Sequence, residues 1–298
     1  MNLKVFHIET SLSFQPLPTT YKHFLLFLRM HYWKYLFEIY VKGSFHVALM
    51  ALCFYQINCL QWSISPLHTN QIFVFSLVFM GYNGIRYYPF KLHTKSTPWL
   101  YWVIIPTSAI TLLFSLWQFI SLSGAAQLLV FICFILSIGY VIPLSWLRKS
   151  LRSYFGLKIF IVALCWVLLT AVYPLLSIHL WLQDHYLFFI EYLLLIFVAV
   201  LPFEIRDSLS DTTALGTVPQ LIGIKNTRYL GVFILILLLT SKLLRQPFFS
   251  LNTIVFMAML TAYVFFLFRV KQGDSENITL FWAEAVPALG WFIHYLNS

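Results

Sequence analysis

The feature that most constrains this chain is a succession of long apolar runs, each about as long as one membrane crossing. A helix needs about 20 apolar residues to cross the hydrocarbon core of a bilayer. The runs are continuous, whereas strands of a membrane barrel alternate apolar and polar residues over about ten positions. We therefore predict an all-α polytopic membrane protein with nine transmembrane helices, at 44–62, 71–88, 98–120, 124–146, 157–177, 180–203, 228–244, 249–269 and 278–296.

The composition leaves little room for anything outside the membrane. Sixty per cent of the 298 residues are hydrophobic and 10% are charged, against roughly 45–50% and about 25% in soluble globular proteins. This excludes a soluble enzyme and a disordered chain. We predict an N-terminal cytoplasmic tail and interfacial segment over residues 1–34, followed by one integral-membrane domain over residues 35–298.

The positions of the basic residues predict the orientation of the chain. Cytoplasmic loops of membrane proteins are enriched in Lys and Arg. With a cytoplasmic N-terminus and nine spans, all of the 19 Lys and Arg except Lys242 and Arg245 fall on the cytoplasmic side. The C-terminus is then outside, and a bacterial-type inner membrane is the expected location. The net charge of +9 is explained by this topology, so we expect membrane lipid and no nucleic acid among the partners.

Three of the ten acidic residues cluster after the sixth apolar run. Glu204, Asp207 and Asp211 are spaced i, i+3, i+7, which places them on one face of a helix that continues from the run. One interpretation is a solvated helix end. However, ionisable groups at the edge of an apolar span are costly and usually functional. Their mutual repulsion would have to be offset by a divalent cation, by a basic cluster or by protonation of one acid.

This segment resembles the second aspartate-rich motif of the UbiA-type intramembrane prenyltransferase superfamily. The family pattern is Asp-x-x-Asp-x-x-x-Asp, then Gly-x-x-Thr-Leu-Pro and a further Gly. The matching residues here are Glu204, Asp207, Asp211, Gly216-Thr217-Val218-Pro219 and Gly223. The resemblance implies nine helices in two pseudo-repeated half-bundles around a central cavity. It also implies a prenyl diphosphate held through magnesium, and transfer of the isoprenoid group to a hydrophobic acceptor inside the membrane.

The first motif of that family is degenerate in this chain. The family pattern Asn-Asp-x-x-Asp-x-x-x-Asp corresponds to the segment that starts at Asn83, where Gly84, Tyr87 and Lys91 occupy the aspartate positions. A shift of 120 residues lays this segment on Glu204 to Asp211, which indicates two related halves. The exchange of acids for neutral and basic residues removes one of the two clusters that would hold magnesium.

The resemblance therefore implies a reduced site. Asp207 and Asp211 are the expected catalytic residues. Together with Glu204 they are the expected metal ligands, for one magnesium ion or none. Basic side chains can contact phosphate oxygens directly, and the expected substrate-binding residues are Asn83, Arg86, Lys91 and Lys158.

Three functional hypotheses follow from this reduced site. The first is a prenyltransferase with a degenerate first motif. The second is a non-catalytic protein of the same fold that binds a lipid, a diphosphate or a partner. The third is a different intramembrane chemistry or transport.

A simple geometric criterion separates ligand binding from a purely internal ion pair. Arg86 or Lys91 could reach across the cavity mouth to Asp207 or Asp211, and basic nitrogens within about 4 Å of these carboxylates would favour such a latch between the halves. Two further acids, Glu191 and Glu284, lie well inside apolar runs, and for them we expect interhelical contacts rather than catalysis.

Overall fold

The structure, a computed structural model, describes residues 33–87, 98–143, 150–154, 156–178, 185–211, 215–274 and 278–297. The regular elements of these ranges are all helical. The longer helices are α1 Trp33–Lys42, α2 Phe45–Gln61, α3 His68–Tyr87, α4 Pro98–Ile120, α5 Gly124–Val141, α6 Leu157–Ser177, α7 Tyr186–Asp207, α8 Val218–Arg245, α9 Leu251–Arg269 and α10 Val286–Tyr295. A short 3-10 helix, Leu151–Ser153, precedes α6, and a π-helical segment, Ile278–Ala283, precedes α10.

The chain divides into two compact units, Met1–Glu38 and Ile39–Ser298. The first unit is described only from residue 33, so the predicted cytoplasmic tail over residues 1–34 lies almost wholly outside the described residues. The second unit contains α2 to α10 and both candidate sites discussed below.

The prediction of an all-α membrane protein is confirmed at this level. Six described helices are long and apolar enough to cross a membrane, and α1 with α2 provides a seventh if the pair counts as one span. The six are α4, from Trp102, and α5 to α9. Helices α3 and α10 occupy two further predicted spans, 71–88 and 278–296, but they do not belong to this set of six.

Contacts between helices in the second unit form a closed ring. Helix α2 packs on α3, α3 on α5, and α5 on α6; α6 packs on α7, and α7 on α8. The ring continues through α9 to α10, which packs back on α2, while α4 packs on the outside of α3. The core side chains inside this ring are apolar and aromatic, among them Phe73, Tyr173 and Tyr263. A ring of helices can enclose a cavity, and the two cavities described below both lie between its members.

Two breaks in the helices shape the ends of this ring. Helix α6 changes to π-helix over Leu168–Val172, directly before Pro174, whose ring cannot continue regular helical hydrogen bonding. Helix α8 is kinked at Gly223, where φ is 78°, a left-handed conformation that favours glycine. Gly216, in the turn before α8, also has a positive φ of 53°. Both motif glycines therefore occupy positions that require their backbone freedom.

Candidate functional site

Glu204 and Asp207 lie in the last turn of α7, whereas Asp211 lies in the turn beyond the end of the helix, so the predicted helix face does not include Asp211. A lysine from the start of α6 lies between Glu204 and Asp211. Nζ of Lys158 is 3.2 Å from Oε1 of Glu204 and 2.7 Å from Oδ2 of Asp211. The side chain of Glu204 is only 2% exposed. The repulsion between these two carboxylates is thus offset by a basic side chain, which is one of the three alternatives that the sequence left open.

The third acid, Asp207, is paired with its own neighbour. Nε of Arg206 lies 2.6 Å from Oδ1 of Asp207, and Nη2 of Arg206 lies 3.0 Å from Oδ2. The guanidinium also donates to Oγ1 of Thr279, in the π-helical segment before α10. This bidentate pair consequently joins the end of α7 to the last part of the chain.

The turn after α7 is held in place by its own polar groups. Oε1 of Gln220 accepts from the backbone N of Thr217 at 3.0 Å, and Nε2 of Gln220 donates to the carbonyl of Asp211 at 3.1 Å. The backbone N of Gly156 donates to the carbonyl of Leu215 at 3.0 Å, which fastens the same turn to the start of α6. These bonds fix Asp211 opposite Lys158.

The predicted substrate-binding residues of α3 contact backbone carbonyls instead of the acids. Nη1 of Arg86 donates to the carbonyls of Val41 and Lys42 at 3.0 and 2.7 Å. Nδ2 of Asn83 donates to the carbonyl of Gly43 at 3.2 Å. The last carbonyls of a helix have no partner inside the helix, so these side chains satisfy the end of α1. The third predicted residue on this segment, Lys91, lies outside the described residues.

This contact leads to a stability prediction for Arg86. Replacing Arg86 by Met is expected to lower the free energy of unfolding by about 2 kcal/mol, because it removes charged hydrogen bonds to two carbonyls. Thermal unfolding of the purified ligand-free protein measures this loss, and the exposed Arg269→Met provides the control. An unchanged melting temperature for Arg86→Met would show that these hydrogen bonds contribute nothing to the fold.

A first cavity of about 230 Å³ opens beside the acidic cluster. Its interior is apolar and aromatic, and includes Phe54, Val162, Trp166 and Ala199. Its lining also includes six charged side chains, called the rim below, which are Arg86, Lys158, Glu204, Arg206, Asp207 and Glu284. Three cations thus face three carboxylates, so the described rim is close to neutral while the interior suits a hydrocarbon chain.

Glu284 belongs to this rim, which sequence reasoning did not foresee. It was expected to make an interhelical contact inside the ninth apolar run. In the structure it lies between the π-helical segment and α10, lines the first cavity and interacts electrostatically with Arg86 and Arg206. The sequence did contain a signal that the ninth run is not one continuous helix. Pro287 lies in the first turn of α10, and proline is common at the start of a helix.

Glu191 forms the interhelical contact that was predicted for it. It accepts a hydrogen bond from Oγ of Ser241 and forms an ion pair with Arg245, both on α8. This pair lies at the N-terminal end of α7, whereas the acidic cluster lies at its C-terminal end.

A resident magnesium ion does not fit the acidic cluster as the structure describes it. Magnesium prefers oxygen ligands in a nearly octahedral arrangement, but Glu204 and Asp211 are engaged by Lys158, and Asp207 by Arg206. Within the described ranges, no three His, Cys, Asp or Glu side chains are grouped so that they could hold a metal ion. By the distance criterion given above, Lys158 and Arg206 neutralise the acids internally. The latch that was expected from Arg86 is not formed, because its guanidinium donates to the carbonyls of Val41 and Lys42, and Lys91 lies outside the described residues.

The chain matches no known family model, no curated protein and no solved structure. The resemblance to the UbiA-type superfamily therefore depends on the motif residues themselves.

Proposed function

We propose that the chain is an integral membrane protein with nine spans in two related half-bundles. The shift of 120 residues that lays the degenerate first motif on Glu204 to Asp211 supports this. The distribution of Lys and Arg supports a cytoplasmic N-terminus and an external C-terminus, in a membrane of the bacterial inner type.

Within this architecture we infer that the first cavity binds an isoprenoid diphosphate or a closely related amphipath. The observation that carries the inference is that one cavity is lined both by the charged side chains of the rim and by an apolar, aromatic interior. Ligand sites are typically apolar pockets with a few polar groups that orient the ligand. The hydrocarbon chain would lie beside Phe54 and Trp166, and the head group at Lys158.

The near-neutral rim determines which form of the head group fits best. A bare diphosphate would draw Lys158 away from Glu204, and a buried carboxylate without its partner is costly. A diphosphate that arrives with its own counter-ion brings less negative charge to the rim. Comparing prenyl diphosphates with and without magnesium therefore tests how the head group is compensated.

Transfer of the isoprenoid group to a hydrophobic acceptor is the second candidate function. It is favoured by the position of Asp207 at the rim of an apolar interior, because exclusion of water protects a reactive allylic group from hydrolysis. Transfer breaks the allylic C–O bond, forms a bond from the allylic carbon to the acceptor in place of an acceptor hydrogen, and releases inorganic diphosphate and a proton. Release of inorganic diphosphate therefore distinguishes a transferase from a protein that only binds the prenyl diphosphate.

One experiment addresses both candidates. The detergent-purified protein is titrated with prenyl diphosphates of several chain lengths, with and without magnesium, and thermal stabilisation is recorded. Release of inorganic diphosphate is then measured in membrane vesicles, which supply hydrophobic acceptors. Stabilisation with release that Asp207→Asn abolishes would support transfer, and stabilisation without release would support the binding protein. No stabilisation under any condition would overturn the proposal.

The ligand site can also be tested by filling it. Replacing Ala199, on the cavity wall, by Trp is expected to abolish ligand-dependent stabilisation, because the new side chain occupies the space of the hydrocarbon chain while every ion pair of the rim remains. The matched control is Leu164→Trp on α6, at an exposed, lipid-facing position. Equal ligand-dependent stabilisation of Ala199→Trp and the control would contradict the assignment of this cavity.

A further inference from the structure

A second cavity lies at the opposite end of the same helices. It measures about 140 Å³, and α7 and α9 line it with residues that precede those lining the first cavity. Its polar lining includes the Glu191–Arg245 pair, Lys242, Gln246 and His294. Lys242 and Arg245 are also the two basic residues that the predicted topology places outside. The second cavity is therefore not part of the acidic-cluster site.

Lys242 is a buried cation whose ammonium group has no direct polar partner among the described residues. Its side chain is 7% exposed, and no hydrogen bond or ion pair is formed by its Nζ within the described part of the chain. Its Nζ lies over the ring of Phe256, at 5.5 Å from the ring centroid. An ionisable side chain kept inside a membrane bundle at such a cost usually serves a ligand or an ion.

The neighbouring charges leave a positive excess in the second cavity. Glu191 is engaged by Arg245 and Ser241. Its negative charge is therefore compensated by Arg245, and the charge of Lys242 remains in excess. Two further polar atoms, Nδ1 of His294 and Oε1 of Gln246, are buried without a hydrogen-bond partner in the described residues. An imidazole or an amide can present a donor after a change of tautomer or a flip. Lysine, histidine and glutamine thus converge on one space.

We propose that the second cavity binds an oxyanion of the phosphate type, through Nζ of Lys242 with support from His294 and Gln246. The apolar part of the lining, which includes Phe188 and Met259, is compatible with a hydrocarbon chain attached to the anion. The same chemistry is offered by free phosphate and by the phosphate head group of a membrane lipid. A purely structural alternative is a lysine that stabilises the C-terminal end of α8 through the helix dipole.

The proposal is tested with inorganic phosphate as the probe and with Lys242→Met as the variant. In the detergent-purified full chain, phosphate is expected to raise the melting temperature of the parent protein in a concentration-dependent way. In Lys242→Met the dissociation constant for phosphate should rise about tenfold or more, because a charged hydrogen bond to the anion is lost. Lys225→Met is the matched control, since Lys225 is exposed on the same helix.

The stability of the ligand-free variant separates ligand binding from a structural role. A buried lysine that serves a ligand destabilises the protein when the ligand is absent. Ligand-free Lys242→Met should therefore have a higher melting temperature than the parent protein. A lysine kept for the helix dipole would give a variant that melts lower. Should Lys242→Met fail to fold, which would itself favour the structural alternative, His294→Phe provides the second variant. It should weaken phosphate binding.

Lipid nanodiscs distinguish the two sources of the anion. Stabilisation by phosphatidylglycerol relative to phosphatidylcholine, lost in Lys242→Met, would identify a lipid head group, and stabilisation by phosphate alone would identify a free anion. Either result supports the site. A parent protein that responds to neither probe, or a Lys242→Met variant that binds both as well as the parent, would overturn the proposal. None of these outcomes depends on the first cavity.

Discussion

Replacing Lys158 by methionine is expected to lower the free energy of unfolding by about 3–5 kcal/mol, because it leaves a buried carboxylate without its cation. Glu204 is almost completely buried, and Lys158 is the one described cation within ion-pair distance of both Glu204 and Asp211. The loss is measured by thermal or denaturant unfolding of the purified protein. Methionine keeps most of the length of the side chain, so the effect reports the charge rather than a cavity.

A combined variant shows whether the loss is electrostatic. Adding Glu204→Gln and Asp211→Asn to Lys158→Met removes the uncompensated charges, and most of the stability should return, since replacing a whole buried ion pair is often close to neutral. The exposed Lys225→Met should change little. A Lys158→Met protein as stable as the parent would mean that water or another group compensates Glu204.

The result also bears on the ligand. If the head group of a ligand replaces Glu204 as the partner of Lys158, the parent protein must break one ion pair to bind it. A variant with Glu204→Gln would then bind the ligand more tightly than the parent, although its unliganded form has one fewer acid. Tighter binding by Glu204→Gln would thus indicate that the ion pair between Lys158 and Glu204 opens when the ligand binds.

The fold was accessible from the sequence because apolar runs of bilayer length have few structural alternatives. The predicted span 157–177 has the bounds of α6, and the predicted 98–120 has the bounds of α4. The predicted start of the seventh span, residue 228, is ten residues later than the start of α8 at Val218. The seventh span was placed too late because the first turns of α8 contain polar residues such as Lys225, and because the helix is kinked at Gly223.

The acidic cluster was accessible too, but its partners were not. The spacing of Glu204, Asp207 and Asp211 predicts a shared helix face, but α7 ends at Asp207, and Asp211 reaches Lys158 from the turn beyond it. The sequence could not reveal that Lys158 pairs with them, because the two elements are about fifty residues apart and meet only through packing. In the same way, no local pattern indicates that Arg86 is engaged by the carbonyls of Val41 and Lys42.

Replacing Phe54 by alanine is the second large expected effect, with a loss of about 3–5 kcal/mol in the free energy of unfolding, typical of a deleted core aromatic. Phe54 is 2% exposed and lines both cavities. Its ring makes edge contacts with Trp166 on one side and Tyr192 on the other, at centroid distances of 5.9 and 5.6 Å. Because this ring stands between the two spaces, its removal is expected to join them into one continuous cavity.

The joined cavity supplies a readout beyond stability. An apolar void inside a protein can bind benzene, so benzene should raise the melting temperature of Phe54→Ala by more than it raises that of the parent. Phe265→Ala, at an exposed position on α9, is the control and should lose much less, because lipid or detergent replaces the missing ring. If Phe54→Ala were no less stable than Phe265→Ala, the ring could not be part of a packed partition. The first and second cavities would then have to be regarded as one space, and the independence of their ligands would be lost.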